Sequence, residues 1–295
     1  MELANRVCSL GGRGDPFTAY EQLGAETKTA LLELLPDDWS FGGNRVLDFG
    51  CGAGRTLRHF LTEAQEGELW GADIDRPSIE WLERNLCPPL HAVCNDRDPP
   101  LPFERGTFHL IWALSVFTHL TDNSLAWLLE LHSLLKPRGL LVTTYMGRWN
   151  SGSFLSEPWD EDKVGMNVLR RDQGWEHGGP IVFMSDWWLR EHWGRAFEVV
   201  QVAPQVHGQT WALLRRREVE LTARDLERPG DDPREWAALR HNIRQVERDR
   251  EKALAELRAS YEGSISWRIT RPLREARRLA HSWRHRRPGA WHRGG

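Results

Sequence analysis

Apolar positions along this chain switch repeatedly between two periods. From about Asp15 to Leu35, residues Ala30, Leu31, Leu34 and Leu35 recur at helical spacing and Pro36 ends the pattern, which predicts a helix leading into a first strand. Arg45–Phe49 predicts that strand, residues 55–64 a helix, Glu68–Ala72 a second strand, Pro77–Leu86 a helix opened by proline, and Leu90–Cys94 a third strand. Phe108–Ala113 is nearly all apolar and predicts a strand buried on both faces. Ser124–Leu135 predicts a helix stopped by Pro137 and Gly139, and Leu140–Tyr145 a fifth strand. Such alternation predicts a parallel sheet covered by helices on both faces.

The rhythm breaks at 147–180, which is rich in Gly, Trp and charge and has no clean period; it is expected to be a lid or an acceptor-binding insert. Ser185 then suits the N-cap of a helix reaching Trp193, and Phe197–Val202 and Thr210–Leu214, joined through Gly208, predict an antiparallel hairpin at the sheet edge. These elements place one α/β domain at 1–227. Arg228 to Pro233 reads as a linker. In 234–260, Trp236, Leu239, Ile243, Val246, Ala253 and Leu257 fall at alternating three- and four-residue steps, interrupted at Arg250. That seam fits either a short coiled coil, and so a homo-oligomer, or an amphipathic helix docked on the main domain.

Composition adds an asymmetry. The chain has 295 residues, 40% apolar and 27% charged, with 16 tryptophans and a net charge of -3. Those fractions are ordinary for a soluble globular protein. Residues 261–295, however, carry nine arginines opposed in their basic stretch only by Glu275. A Trp/Arg-rich tail of this kind suits an anionic membrane surface, an acidic polymer or a protein partner; the plainer reading is a solvated end. Cys8, Cys51, Cys87 and Cys94 form no C-x-x-C pair and no zinc spacing. No metal site is expected, and scattered thiols fit a reducing compartment. With no basic-then-apolar start and no apolar run of membrane-spanning length, the expected location is cytoplasmic, or peripheral to the inner membrane face.

Chemistry concentrates in Val46-Leu-Asp-Phe-Gly-Cys-Gly-Ala-Gly54, a strand, an aspartate and a G-x-G-x-G loop. Glycines let the backbone turn sharply and approach a ligand at the carboxyl ends of parallel strands. The dinucleotide spacing would be G-x-G-x-x-G, and Asp48 would repel a pyrophosphate while suiting a ligand with an ammonium. Asp73, ending the second strand, is placed to accept both hydroxyls of a ribose. Strand-end capping is the alternative duty for both carboxylates.

This segment resembles motif I of class I S-adenosylmethionine (SAM)-dependent methyltransferases, and the likeness runs from about Tyr20 to Arg216. Leu69–Asp75 resembles their second motif, Asn95–Phe103 with Phe108–Ile111 the third, and Leu134-Leu-Lys-Pro-Arg-Gly139 the L-x-P-G-G turn, with Arg138 where the first glycine stands. The resemblance implies a Rossmann-like, doubly wound seven-stranded sheet with an antiparallel edge hairpin, here followed by a C-terminal helical extension. It implies SAM as cofactor. Gly50, Cys51, Gly52 and, closing the loop, Gly54 would line its methionine and ribose side with Asp48 nearby; Asp73 would hold the ribose and Ile74 pack on the adenine. Asn95 or Asp96 would reach the adenine amino group, and Ala113 to Ser115 would lie near the sulfonium.

The acceptor is less legible. A hydroxyl acceptor needs a base, and His119 in Ser115-Val-Phe-Thr-His-Leu120 is the leading candidate, with a capping or core role as its alternative. His207 and Tyr145 are weaker candidates. No Asn-Pro-Pro-Tyr or Asp-Pro-Pro-Tyr follows strand four, and no basic cluster marks 20–216, which disfavours nucleic acid. Ser264-Ile-Ser-Trp-Arg-Ile-Thr-Arg-Pro-Leu-Arg274 resembles an element that ends many bacterial glycosyltransferases and methyltransferases of surface-polysaccharide synthesis. That likeness implies a glycan acceptor or lipid-linked precursor, and contacts of the C-terminal helix and tail with membrane or glycan-synthesis proteins. Trp149, Trp159 and Trp175 would stack on sugar rings, or simply pack the insert; the acidic run Asp160 to Asp162 reads as a solvated loop. The competing expectations are a methyltransferase for another small molecule and a SAM-binding scaffold of a synthesis complex.

Overall fold

The computed structural model describes residues 15–155, 158–174, 178–270 and 272–273. Their strands are β1 (Arg45–Phe49), β2 (Glu68–Asp73), β3 (His91–Cys94), β4 (Phe108–Ala113), β5 (Leu135–Tyr145), β6 (Met166–Leu169), β7 (Ile181–Met184), β8 (Phe197–Val206) and β9 (Gln209–Arg216). Their helices are α1 (Pro16–Leu34), α2 (Arg76–Leu86), α3 (Ser124–Leu134), α4 (Ser151–Phe154), α5 (Asp186–His192), α6 (Ala223–Glu227), α7 (Glu235–Gly263) and α8 (Ile265–Ile269). The main sheet has seven strands in the order β3-β2-β1-β4-β5-β9-β8. β1 to β5 pair in parallel, and β9 and β8 add antiparallel at the edge. The order reverses between β1 and β4, which opens a crevice at their carboxyl ends.

Alternate residues of the central strands enter separate cores, as a sheet buried on both faces requires. Leu47, Phe49, Ile111, Ala113 and Leu141 join Trp127, Leu128 and Leu131 of α3 and Trp188 of α5 on one side. Val46, Leu110, Trp112 and Val142 join Leu31 and Leu34 of α1 and Ile79 and Leu82 of α2 on the other. Local signals start the helices: the Asp15 side chain accepts from Thr18 N at α1, Asp75 from Ser78 N at α2, and Ser185 from Trp188 N at α5.

Three expectations are corrected. Residues 55–64 are not one helix but two short 3₁₀ turns, Leu57–Phe60 and Glu63–Gln65. β5 begins at Leu135, so the turn before it is drawn into the strand, and Arg138 takes the left-handed φ of 59° where the resembled motif has glycine. The irregular insert contains a regular part: β6 and β7 form an antiparallel hairpin. Met184 N donates to Met146 O (2.9 Å) and Val182 N to Thr118 O (2.8 Å), which ties the hairpin to the ends of β5 and β4.

By its internal contacts the chain divides into residues 1–244 and 245–295. Within the first unit, α7 docks through Glu235, Ala238 and Asn242; Glu235 and Ala238 are buried, and Asn242 Oδ1 accepts from Val168 N at 2.9 Å. The apolar seam of α7 is a different face: Trp236, Leu239 and Ile243 are exposed, so docking does not use it. In the second unit the helix continues with Leu257 exposed and is followed by α8. Among the described residues no helix is long and apolar enough to cross a membrane. Trp175 and residues 274–295 of the arginine-rich tail lie outside the described residues.

Glu235 is anchored by His192. His192 Nδ1 donates to Leu226 O (2.7 Å), and Nε2 bonds Glu235 Oε2 at 2.9 Å, both side chains being buried. Removing one member of such a pair strands the other. Glu235→Ala is therefore expected to lower the stability of the first unit by about 3 kcal/mol, read as a lower urea midpoint by tryptophan fluorescence, whereas Glu247→Ala on the exposed side of α7 leaves the midpoint unchanged.

Candidate cofactor and acceptor site

The crevice is built on the glycine loop after β1. Gly50 and Gly52 have φ of 82° and 53°. A Cβ on Gly50 would lie 2.3 Å from Val116 Cγ2, whereas one on Gly52 would meet nothing within 4 Å. The loop thus passes tightly beneath the segment after β4 at Gly50 and opens at Gly52. Gly54 also has positive φ and backs onto Leu82 of α2, and Cys51 is buried. Burial raises the Cys51 thiol well above its ordinary pKa, helped by Asp48 and Asp73, so it stays protonated.

Two carboxylates flank the loop. Asp48 lies between Gly71 of β2 and Trp112 of β4 in register and is almost fully buried. Desolvation pushes its pKa up to about 7; the Trp112 indole offsets part of this without making a hydrogen bond of ordinary geometry, Asp73 adds to the rise and Arg55 opposes it. Asp73 Oδ2 accepts from Gly52 N (2.7 Å) and Oδ1 from Asp75 N (2.8 Å). Its pKa is raised by burial and held back by those backbone donors. Next to it, Ile74 is 58% exposed, an apolar side chain left uncovered beside the crevice. Asn95 N donates to Asp73 O at 3.0 Å, and the Asn95 side-chain Oδ1 is buried with no hydrogen-bond partner, while Asp96 is exposed.

On the other side, Ala113 is fully buried in the core. Ser115 follows it with φ 59°, a costly conformation for a non-glycine residue. Neighbours hold it there: Ser115 N donates to Thr144 Oγ1 at 2.7 Å, and Ser115 Oγ lies 3.0 Å from Gln209 Nε2 and 3.2 Å from its Oε1. Gln209 and Thr144 come from β9 and β5. Nothing in the sequence marks them; only the antiparallel register brings them here. His119 stands one turn further, its N donating to Val116 O. Its Nδ1 lies 2.8 Å from the Pro180 carbonyl, which can only accept, so Nδ1 carries the proton and Nε2 is the basic nitrogen. Burial lowers its pKa, with the Pro180 bond opposing, so the ring is neutral at pH 7.

The weaker candidates fall away from this cluster in chemistry. Tyr145 donates to Asp186 Oδ1, and burial with that carboxylate raises its pKa, which keeps the hydroxyl protonated. His207 is exposed, with Nδ1 3.9 Å from Glu26 Oε2. Trp159 packs toward Phe183 and donates to Glu161, while Trp149 is exposed. No metal-ligand cluster occurs among the described residues.

Residues 46–139 match a family of methyltransferase domains. The fold is that of SAM-dependent methyltransferases. Among solved structures, a Haloferax volcanii methyltransferase complex with the Trm112 activator superposes with a TM-score of 0.51 at 15% identity, covering 68% of this chain and 92% of that one. A Mesorhizobium loti SAM-dependent methyltransferase gives 0.50 at 16%, covering 65% and 99%. Among curated proteins, the Caenorhabditis elegans rRNA N(6)-adenosine-methyltransferase metl-5 is 29% identical over 109 residues, 34% of this chain and 50% of that protein. The Gallus gallus tRNA N(3)-cytidine methyltransferase METTL2 is 26% identical over 166 residues, 50% of this chain and 44% of that one. The chain thus spans about half the length of the curated relatives it matches.

The cofactor is SAM, and the crevice has the features an adenosyl amino acid requires. Space opens at Gly52, and an apolar surface stands at Ile74. Asp73 would hold the ribose hydroxyls and Asp48 the ammonium. A buried carboxyl near pKa 7 has to ionise to face that ammonium. The contribution of neutral Asp48 to the free protein's stability is full below its usual 3.8 and is lost as pH rises through about 7. Affinity for S-adenosylhomocysteine (SAH), which keeps the ammonium, therefore rises with pH: about tenfold tighter at pH 8 than at pH 6. Calorimetry across that range checks this, and Asp48→Asn removes the rise.

Proposed function

We propose that this chain transfers the methyl group of SAM to a hydroxyl acceptor, most specifically a hydroxyl of a bacterial surface glycan or its lipid-linked precursor. The observation that carries methyl transfer to a hydroxyl is a half-buried His119, held in one tautomer by Pro180, in the segment that covers Gly50. SAM supplies an electrophilic methyl on a sulfonium. The chain supplies alignment and proton management. The Pro180 bond fixes the His119 tautomer, and Nε2 takes the hydroxyl proton as the oxygen becomes nucleophilic. Ser115 and Gln209, the first held from behind by the buried Thr144, offer neutral donors and acceptors suited to an uncharged polyol. The exposed Trp149 offers an aromatic face to a sugar. The glycan assignment itself is supported by the likeness of Ser264–Arg274 to the C-terminal element of glycan-synthesis enzymes. That element and the basic tail would keep the enzyme near an anionic surface or its synthesis partners.

RNA methylation is the second reading, favoured by the activities of metl-5 and METTL2. Against it stands Leu114-Ser-Val-Phe-Thr-His119 after β4, where no Asn-Pro-Pro-Tyr or Asp-Pro-Pro-Tyr offers the carbonyl and aromatic surface that amino-nitrogen chemistry on a base would use.

Incubation with methyl-labelled SAM and, in parallel, lipid-linked glycan extract and total RNA separates the two. Label in the glycan fraction is expected; label confined to RNA overturns the glycan assignment, and label on a base nitrogen of that RNA overturns the hydroxyl assignment as well. In the same assay His119→Ala lowers turnover at least about a hundredfold while SAH affinity stays at the wild-type value.

A further inference from the structure

We infer that α1 is a working part of the cofactor site and that Arg58, which contacts no ligand itself, is the positioning residue coupling α1 to the glycine loop. The guanidinium of Arg58 gathers groups from three parts of the fold. Nε donates to Gly54 O (3.1 Å) and Nη2 to Ala53 O (3.0 Å), both in the glycine loop. Nη1 meets Glu21 Oε1 of α1 at 2.5 Å. Its flat faces lie near the rings of Tyr20 from α1 (4.9 Å) and Trp81 from α2 (5.0 Å). Its side chain is 18% exposed.

The guanidinium thus ties the end of the glycine loop to the irregular segment that follows it. The Gly54 carbonyl keeps the backbone bond of a single helical turn, from Arg58 N, and also accepts from Arg58 Nε, while the Ala53 carbonyl accepts from the guanidinium. This segment is covered by α1. Gly24 makes this close approach: a Cβ there would lie 2.2 Å from Arg55 O and 2.7 Å from His59 Nε2. One turn later Lys28 Nζ donates to His59 O (2.7 Å) and pairs with Glu63 (2.5 Å). Tyr20, Glu21, Gly24 and Lys28 thus form one face of α1, laid along 53–63. Because the same guanidinium fixes the backbone that turns around the cofactor, α1 docking and cofactor binding favour each other.

The full chain tests this with SAH as probe. Arg58→Ala is expected to weaken SAH binding at least tenfold by calorimetry. Arg58→Lys does not restore it, because an ammonium lacks the planar fork that spans two carbonyls and a carboxylate. Gly24→Ala raises the intrinsic helix propensity of α1 but blocks its docking, and weakens SAH to a similar degree while far-ultraviolet circular dichroism is preserved. Independently of any variant, SAH slows amide exchange of residues 16–34 in the wild-type protein, and Glu21→Gln reduces that protection. Wild-type SAH affinity in Gly24→Ala or in Arg58→Ala, or exchange in α1 that ignores SAH, overturns the proposal.

Discussion

The site depends on one steric constraint: a Cβ at Gly50 would lie 2.3 Å from the Val116 methyl Cγ2, so the backbone there and the Val116 side chain are in direct contact. The contact joins the end of β1 to the segment after β4 at the point where the strand order reverses. A residue with a Cβ would have to displace the Val116 side chain or push these segments apart. In the second case the loop would lose its approach to the ligand, and the Ser115 to His119 turn would lose its floor. The positive φ of Gly50 adds a second reason for glycine, since the conformation itself is one that L side chains rarely adopt. The two sides of the crevice are therefore assembled together rather than separately.

Much of this was legible in the sequence because local pattern and tertiary environment agree there. Strands β1 to β4 are short apolar runs, and they occupy a sheet buried on both faces. Asp48, Gly50, Gly52 and Asp73 sit at strand ends where register alone sets their positions. Legibility fails where a distant contact decides. Residues 55–64 carry helical spacing, yet they fold as two 3₁₀ turns pinned by distant groups: Lys28 of α1 bonds His59 O, and Gly24 of α1 passes against Arg55 O. Ile181–Met184 is a recognisable apolar run, but its partner Met166–Leu169 is surrounded by glycine and charge, so the hairpin does not stand out from its flanks. β8 runs on through Pro204, which a central strand would not tolerate but an edge strand does.

The C-terminal helix illustrates a different limit. Its regular apolar seam invited docking on the domain, yet α7 uses Glu235, Ala238 and Asn242 instead. A glutamate and an asparagine are poor markers of a buried face, because they enter one only when specific partners await them. Here His192 and the Val168 amide are those partners, far away in sequence. Periodicity identifies surfaces that avoid water; it cannot identify polar surfaces that are buried by pairing.

In the proposed reaction the two sides of the crevice contribute differently. On that proposal Asp48, Asp73 and Asn95 would address the ammonium, ribose and adenine, none of which changes as the methyl moves. Interactions of that kind bind ground state and transition state equally and do not by themselves raise the rate of the chemical step. Rate and acceptor choice must then come from the opposite wall, where His119 is fixed by Pro180 and Ser115 by Thr144 and Gln209. Pro180 belongs to the insert, and the insert hairpin also holds Thr118. In the proposed reaction the acceptor would thus be selected by elements added to the sheet's ends. On that proposal a likeness in the core leaves the acceptor open, so the RNA activities of metl-5 and METTL2 do not by themselves fix the acceptor of this chain.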